Sequence, residues 1–340
     1  GYRSLLSQGR RCGSSASLSC IAQVDPIGRT RHFAGSSAGT PMFPVASLWI
    51  PFTVTAALGQ VARNAMQRQL TGPLGTWGAT NIRFLFGFPF SCLFFAVVLT
   101  VSGDPLPVPS AAFWPWLIVG ALTQIVATGL MLLAMNERSF VVTTAYLKTE
   151  AIQTAIFGFV FLGDHLSAMK VGAILIATVG VVTAALRPGG KTSFTALKPT
   201  VLGLVAAAAF ALSAVGFRGA VISVPGVSFV TAASCTLVVG LFAQTLVLSI
   251  YLVWRAPDVL SKIFSLWRPS LFAGFVGAFA SQFWFLALAL TAAANVRTLA
   301  LIEVLFAQAV AYYSFKQPIS LRELSGIVLI LIGVALLVAA

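Results

Sequence analysis

Charge is what this sequence has least of. Of its 340 residues only 9% are Asp, Glu, Lys or Arg, while 58% are apolar and the mean hydropathy is +0.95. Soluble domains carry about 25% charged residues, so a water-facing surface could not be covered, and a soluble globular domain and a disordered chain are both excluded. Acidic residues are scarcer still, 8 against 21 basic, for a net charge of +13. No lysine-rich run or soluble basic segment is present to bind nucleic acid, so the excess reads as positive loops beside a membrane. Histidine is limited to His32 and His165, and the four cysteines, Cys12, Cys20, Cys92 and Cys235, stand far apart with no CxxC. That spacing excludes a zinc framework and a disulfide scaffold. Cys92 and Cys235 fall in apolar runs and read as small core residues. Gly189-Gly190-Lys191 is too short for a nucleotide-binding loop, so no cofactor or metal is expected.

What the sequence does have is long apolar runs. From Met42 onward they alternate with short breaks rich in Gly, Pro and charge, such as Thr71-Gly72-Pro73, Gly163-Asp164-His165 and Lys316-Gln317-Pro318. These are turn formers and helix stoppers. The runs are too long, and alternate too little, for barrel strands. They predict an all-α polytopic membrane protein of ten transmembrane helices, near 43–62, 76–101, 111–135, 139–162, 168–186, 200–218, 228–254, 269–291, 295–315 and 322–339. Trp114, Trp116, Trp254 and Trp267 lie at span ends, where interfacial aromatics belong. Residues 1–41 differ, with five arginines, one acid and many Ser and Gly. They are expected to be a disordered tail, either a non-native extension or a transit peptide.

A shift of 153 residues lays the second half on the first: Gly87 on Gly240, Ser167 on Ser320, Gly180-Val181 on Gly333-Val334 and, most tellingly, Glu150 on Glu303. Apolar matches are cheap in such a chain, so the weight rests on the rare glutamate and the gapless span layout. Five spans per half force the second copy to enter from the opposite side. Two inverted five-helix repeats, 42–188 and 199–340, are therefore expected, with a site near the bilayer midplane between them.

Two segments carry a resemblance. "FLGDHLSAMKVGAILIATVGVV" (161–182) looks like the end of a five-helix EamA domain, and "FKQPISLRELSGIVLILIGVAL" (315–336) looks like its second copy. Asp164 replaces the usual Glu of the family's turn, and Gln317-Pro318 replaces the acidic turn in the second copy. The resemblance covers about residues 43–340. It implies a ten-helix member of the drug/metabolite transporter superfamily, with both termini on one side, that moves a small metabolite.

Each charge inside a span needs a reason, because it costs at least about 2.5–3.5 kcal/mol in lipid. Glu150 and Lys148 lie in span 4, Glu303 midway along span 9, Arg83 in span 2, and Arg297 opens span 9. Thr143, Tyr146, Glu150, Gln153, Thr154 and Phe157 share one helix face, polar in its middle. The candidate substrate- or proton-binding residues are Glu150, Glu303, Arg83, Lys148, Tyr146, Gln153, Thr154, Gln124 and Gln282. The alternative for the charges is a structural ion pair, Glu150 with Arg83 or Glu303 with Lys148. For Gln124, Thr128, Gln282, Gln60 and Asn64 it is an interhelical hydrogen bond. Arg218 and Arg297 read as interfacial. Carboxylates facing Arg83 and Lys148 are compatible with a zwitterion such as an amino acid.

Loop charge and family resemblance disagree on orientation. Eleven loop Lys and Arg, counting Arg63, lie on the side opposite the termini, and the positive-inside rule then places the termini outside. The leading expectation is a secondary transporter of a small polar metabolite working by alternating access, with proton coupling as an option, and not an enzyme. A non-transporting scaffold or sensor is the runner-up. An intramembrane enzyme would rest on the weak Asp164-His165 pair. The partners implied are the bilayer, a small solute and, on one reading, protons. Either a monomer or a homodimer fits. A bacterial inner membrane is expected, or an organellar inner membrane if the tail is a transit peptide.

Overall fold

Apolar runs fold as helices in lipid because the backbone there must satisfy its own hydrogen bonds. Every regular element among the described residues is helical. The computed structural model describes residues 45–137, 146–185, 197–306 and 321–340. A short turn at Val45–Ser47 leads into α1 (Trp49–Leu85), α2 (Gly87–Ser102) and α3 (Phe113–Glu137). Then come α4 (Glu150–Phe157), prolonged by a π-helical turn at Gly158–Leu162, and α5 (Ala168–Ala185). The second half has α6 (Leu197–Ile222), α7 (Phe229–Arg255), α8 (Pro257–Ser265), α9 (Trp267–Leu290), α10 (Ala293–Leu299) with a 3-10 turn at Ala300–Ile302, and α11 (Leu321–Ala339). Six stretches among the described residues are long and apolar enough to cross a bilayer: Met66–Ser102, Phe113–Met135, Val201–Ile222, Phe229–Arg255, Trp267–Leu290 and Leu321–Ala339. Exposed Leu93, Val97, Phe159, Phe242 and Ile250 give the bundle the apolar exterior that lipid requires.

The expected break between the first two spans is not a loop. Helix α1 runs 37 residues through it, because Met66, Gln67, Arg68 and Leu70 are good helix formers and Leu70 and Leu74 are buried against Met131, Leu132 and Ile263. Two helical stretches meet end to end at Gly75, two residues past Pro73: Gly75 has φ 66° and ψ 177°, a non-helical conformation that suits glycine, so the break is a sharp kink without a loop and the next stretch begins where the second span was expected. The second expected span is instead divided at Phe86. A further element, α8, fills the expected loop after Arg255. Proline opens it, Val259, Leu260 and Ile263 face inward, and Ser261 and Lys262 face out. The spans expected at 111–135, 168–186, 200–218, 228–254, 269–291 and 322–339 are met by helices within a few residues, and those at 139–162 and 295–315 lie partly outside the described residues. Cys92 and Cys235 are unbridged, the second buried. The tail at 1–41, Thr143 and the Lys316-Gln317-Pro318 turn lie outside the described residues.

The most extensive helix contacts pair α3 with α6, α1 with α9, and α5 with α11. Glycine allows the last of these. A Cβ on Gly180 would lie 2.7 Å from the Ile330 nitrogen and 2.8 Å from the Gly326 oxygen. A Cβ on Gly333 would lie 2.7 Å from the Ala177 nitrogen and 2.8 Å from the Ala173 oxygen. Backbones touch here because no side chain stands between them.

One end of the bundle is tied by polar groups. The Ser228 hydroxyl (2.6 Å) and N–H (3.1 Å) and the Thr231 hydroxyl (2.6 Å) all donate to one carboxylate oxygen of Asp104, on the loop after α2. Ser228 in turn caps α7 by accepting from the Thr231 N–H. Nearby, Arg218 at the end of α6 lies 3.5 Å from Asp164 and donates to the carbonyls of Leu288 and Thr291 at the end of α9. Arg218 is therefore pinned rather than free at an interface. The Ser228 hydroxyl bond, with Thr231 behind it, holds the Asp104 carboxyl below the usual carboxylate range. A depressed carboxyl contributes stability that is full above its unfolded value, about 3.9, and lost as pH falls through the folded value. Asp104→Ala is expected to lower the thermal midpoint at neutral pH and to flatten its acid dependence, read by tryptophan fluorescence in detergent. A variant melting like wild type at both pH values would contradict the tie.

Candidate functional site

Two helices lose their regularity at matching places. In the first half Tyr146 and Leu147 are helical, Lys148 and Thr149 form a turn, and the helix resumes at Glu150. The cause is local: the Thr149 hydroxyl donates to the Tyr146 carbonyl at 2.7 Å, competing with the backbone ladder. In the second half α10 tightens into a 3-10 turn at Ala300–Ile302, just before Glu303. Mid-helix 3-10 turns often mark functional hinges. The offset of 153 lays residues 148–150 onto 301–303.

The charges meet at these breaks. The Lys148 ammonium forms an ion pair with Glu303, which also accepts from Gln60 of α1 at 3.1 Å. Arg297 Nε stands 3.0 Å from Glu150, without hydrogen-bond alignment, and its guanidinium lies 4.7 Å over the Trp284 ring. Glu150 thus pairs with Arg297, not with Arg83, and Arg297 is an interior residue rather than an interfacial one. Both pairs join one half to the other. Between them Gln60, Leu147, Lys148, Glu150, Arg297 and Leu301 line a small, partly open pocket. Its cavity volume of about 10 Å³ is room for no more than one water in this conformation.

Arg63 also corrects an expectation. It lies inside α1, 2% exposed, and not in a loop. Arg83 is 4% exposed. Their stems pack over Gly277 of α9, where a Cβ would sit 3.4 Å from Arg63 Cδ and 3.5 Å from Arg83 Cγ. Like charges of Arg63, Arg83 and Arg297 repel one another here. Arg63 donates to Asn64 at 3.0 Å and Arg83 to the Thr128 hydroxyl at 3.4 Å. Arg63 Nε and Nη1 and Arg83 Nε have no partner among the described residues.

The other candidates sit differently. The Thr154 hydroxyl is spent on the Glu150 carbonyl (2.8 Å), and Gln153 bonds Thr149 (3.1 Å), so the polar stripe of α4 serves its own helix. Tyr146 packs against Gly203 of α6. Gln124 accepts from Gln244 of α7 at 2.8 Å, and Gln282 donates to Ser234 at 2.7 Å, both buried clasps between helices. Sequence reasoning missed Arg63, and misplaced Arg297. The available signal for Arg63 was the polar stripe Gln60-Arg63-Asn64-Gln67 at helical spacing.

Removing one partner of a buried ion pair costs about 3–5 kcal/mol, because the other charge is left unpaired. Lys148→Met alone should therefore destabilise strongly, and Lys148→Met with Glu303→Gln should recover most of the loss in thermal unfolding. Simple additivity of the two single losses would show that the pair does not exist.

A search of curated proteins finds no match. Twenty-eight chains of known structure resemble this one. One, described only as the crystal structure of a protein, aligns with a TM-score of 0.62 at 15% identity, covering 86% of this chain and 94% of that one. The likeness shows the fold alone. Residues 197–339 match the EamA-like transporter family. The match covers the second half of the chain, fewer than half of its residues, and likens that half to an EamA domain.

Proposed function

We propose that the chain is a secondary transporter built from two inverted five-span halves, 42–188 and 199–340, that moves a small polar solute by alternating access about the central charged site. The observation that carries this reading is the pair of broken helices, one per half, whose charges are neutralised across the halves: Lys148 by Glu303 and Glu150 by Arg297. Breaks at corresponding places in two halves are the usual mark of a transporter's binding site. The glycine contacts support the inverted repeat. Gly180 touches Ile330 and Gly326, and Gly333 touches Ala177 and Ala173, residues related by the same offset of 153. The helix partners support it too. α3 with α6 and α1 with α9 exchange into each other, while α5 with α11 maps onto itself.

The chemistry follows from competition. A proton on Glu150 or Glu303 cancels one side of a cross-half ion pair. A solute charge can do the same. Either event loosens the contact between halves at the site and lets them rock. The coupling free energy is limited to the difference in ligand affinity between the two states.

Flux through proteoliposomes tests this. Wild-type protein should move at least one member of a panel of labelled carboxylates, amino acids, sugars and nucleosides. Glu150→Gln should abolish that flux or strip it of its pH dependence. Unaltered, pH-dependent flux in the variant would contradict the role of Glu150, and no flux of any solute would favour a scaffold.

A further inference from the structure

The central site holds more positive charge than the protein balances. Lys148 and Arg297 line it with Glu150, and Glu303 pairs with Lys148. Arg63 and Arg83 do not line the pocket but lie beside it, packed over Gly277 and close enough to Arg297 for like charges to repel. The chain's other acids are Asp25, Asp104, Glu137, Asp164, Asp258 and Glu323. Asp104 and Asp164 are engaged at one end of the bundle, with Ser228 and Arg218. Glu150 and Glu303 already face Arg297 and Lys148. Two guanidinium groups, of Arg63 and Arg83, are left nearly fully buried, with no carboxylate pairing with either among the described residues. Three of their N–H-bearing nitrogens lack any partner.

Buried guanidiniums without anions are unfavourable, since each charge loses its water. The planar fork of arginine matches the paired oxygens of a carboxylate or phosphate. Both forks spring from one kinked helix and pack over the bare backbone of Gly277, one turn before Ser281 on α9. A Cβ at Gly277 would touch both stems at ordinary van der Waals distance.

We infer that the transported solute is a small dianion, a dicarboxylate or a phosphate monoester, whose anionic oxygens are held by Arg63 and Arg83. This rests on the transporter reading of the same site and replaces the zwitterion expectation with a class that matches the excess of two positive charges. The ion pairs Lys148–Glu303 and Glu150–Arg297 then need not open to admit the anion. They report its arrival by the change in field, and Arg297 stands beside both sets. Lys148 and Arg297 are already matched by acids, so Arg63 and Arg83 select for charge.

The test is thermal stabilisation of the full-length purified chain by succinate and by inorganic phosphate, at constant ionic strength, with chloride, alanine and glucose as comparators. One or both dianions should stabilise saturably, and alanine and glucose should not. Succinate alone would identify the dicarboxylate arm and phosphate alone the phosphate arm. Arg63→Gln and Arg83→Gln should each weaken that binding roughly 10- to 100-fold, as expected for one charged hydrogen-bonding group. Without anion the two variants should melt no lower than wild type, because each removes an uncompensated buried charge. Dianions no better than chloride would overturn the inference, as would wild-type dianion affinity in both variants. A lower melting point of the variants with and without anion would mark the arginines as structural and overturn it too. If the variants fail to fold, the wild-type comparison of dianion with alanine still decides. Flux of alanine or glucose without dianion binding would refute the dianion site and leave transport standing. Saturable dianion binding with no flux would refute transport and leave the site standing.

Discussion

Removing charge from water is the constraint on which this structure turns. Six ionisable side chains are held inside an apolar bundle, and each would cost at least about 2.5–3.5 kcal/mol alone in lipid. Four of them answer one another in two ion pairs. The pairs do not lie within one half. They cross from the helix of Lys148 and Glu150 to that of Arg297 and Glu303. Helices that carry such charges come together here, and their α-helical ladder is interrupted at the same places, by the turn at Lys148-Thr149 and the 3-10 turn before Glu303.

The rest of the bundle holds those helices in register. α1 supplies Gln60 to Glu303 and Arg63 to the neighbouring cluster, the second because the helix runs on beyond residue 62. α9 supplies the Trp284 face under Arg297 and the bare Gly277 under two arginine stems. At one end Asp104 and Asp164, both of the first half, hold Ser228, Thr231 and Arg218 of the second. α5 and α11 cross with backbone contact at Gly180 and Gly333. A strong end latch and a mutable centre are the parts that a rocking motion would use.

Much of this was legible in the sequence. Apolar run length located most spans to within a few residues, since a bilayer sets helix length directly. The offset that matched Glu150 with Glu303 found both glutamates of the site, and the Lys148–Glu303 pair stood among the alternatives. Local signals misled elsewhere. Pro73 read as a stop, and the helical path does break two residues on at Gly75, but burial of Leu70 and Leu74 carries the first stretch of helix that far, and that moved Arg63 from loop to interior. Removing it from the loop tally narrows the charge imbalance without reversing it. Thr154 and Gln153 shared a face with Glu150, yet side chains near a helix backbone can bond to that backbone instead of a cavity. Arg297 was placed at a border because its partners, Glu150 and Trp284, are distant in sequence. Tertiary pairing of this kind has no signature in a window of residues.

Rocking about the centre is the claim that most needs a direct measurement. Spin labels at Leu106 and Pro225 would report on the end tied by Asp104, and labels at Gln69 and Phe264 on the stretch where α1 meets α8. Distances between labels in each pair should be measured in liposomes at neutral and acid pH and with and without the solute that stabilises the protein. Alternating access predicts that one distance lengthens as the other shortens. Two distances that stay fixed under every condition, in protein that still carries flux, would contradict it.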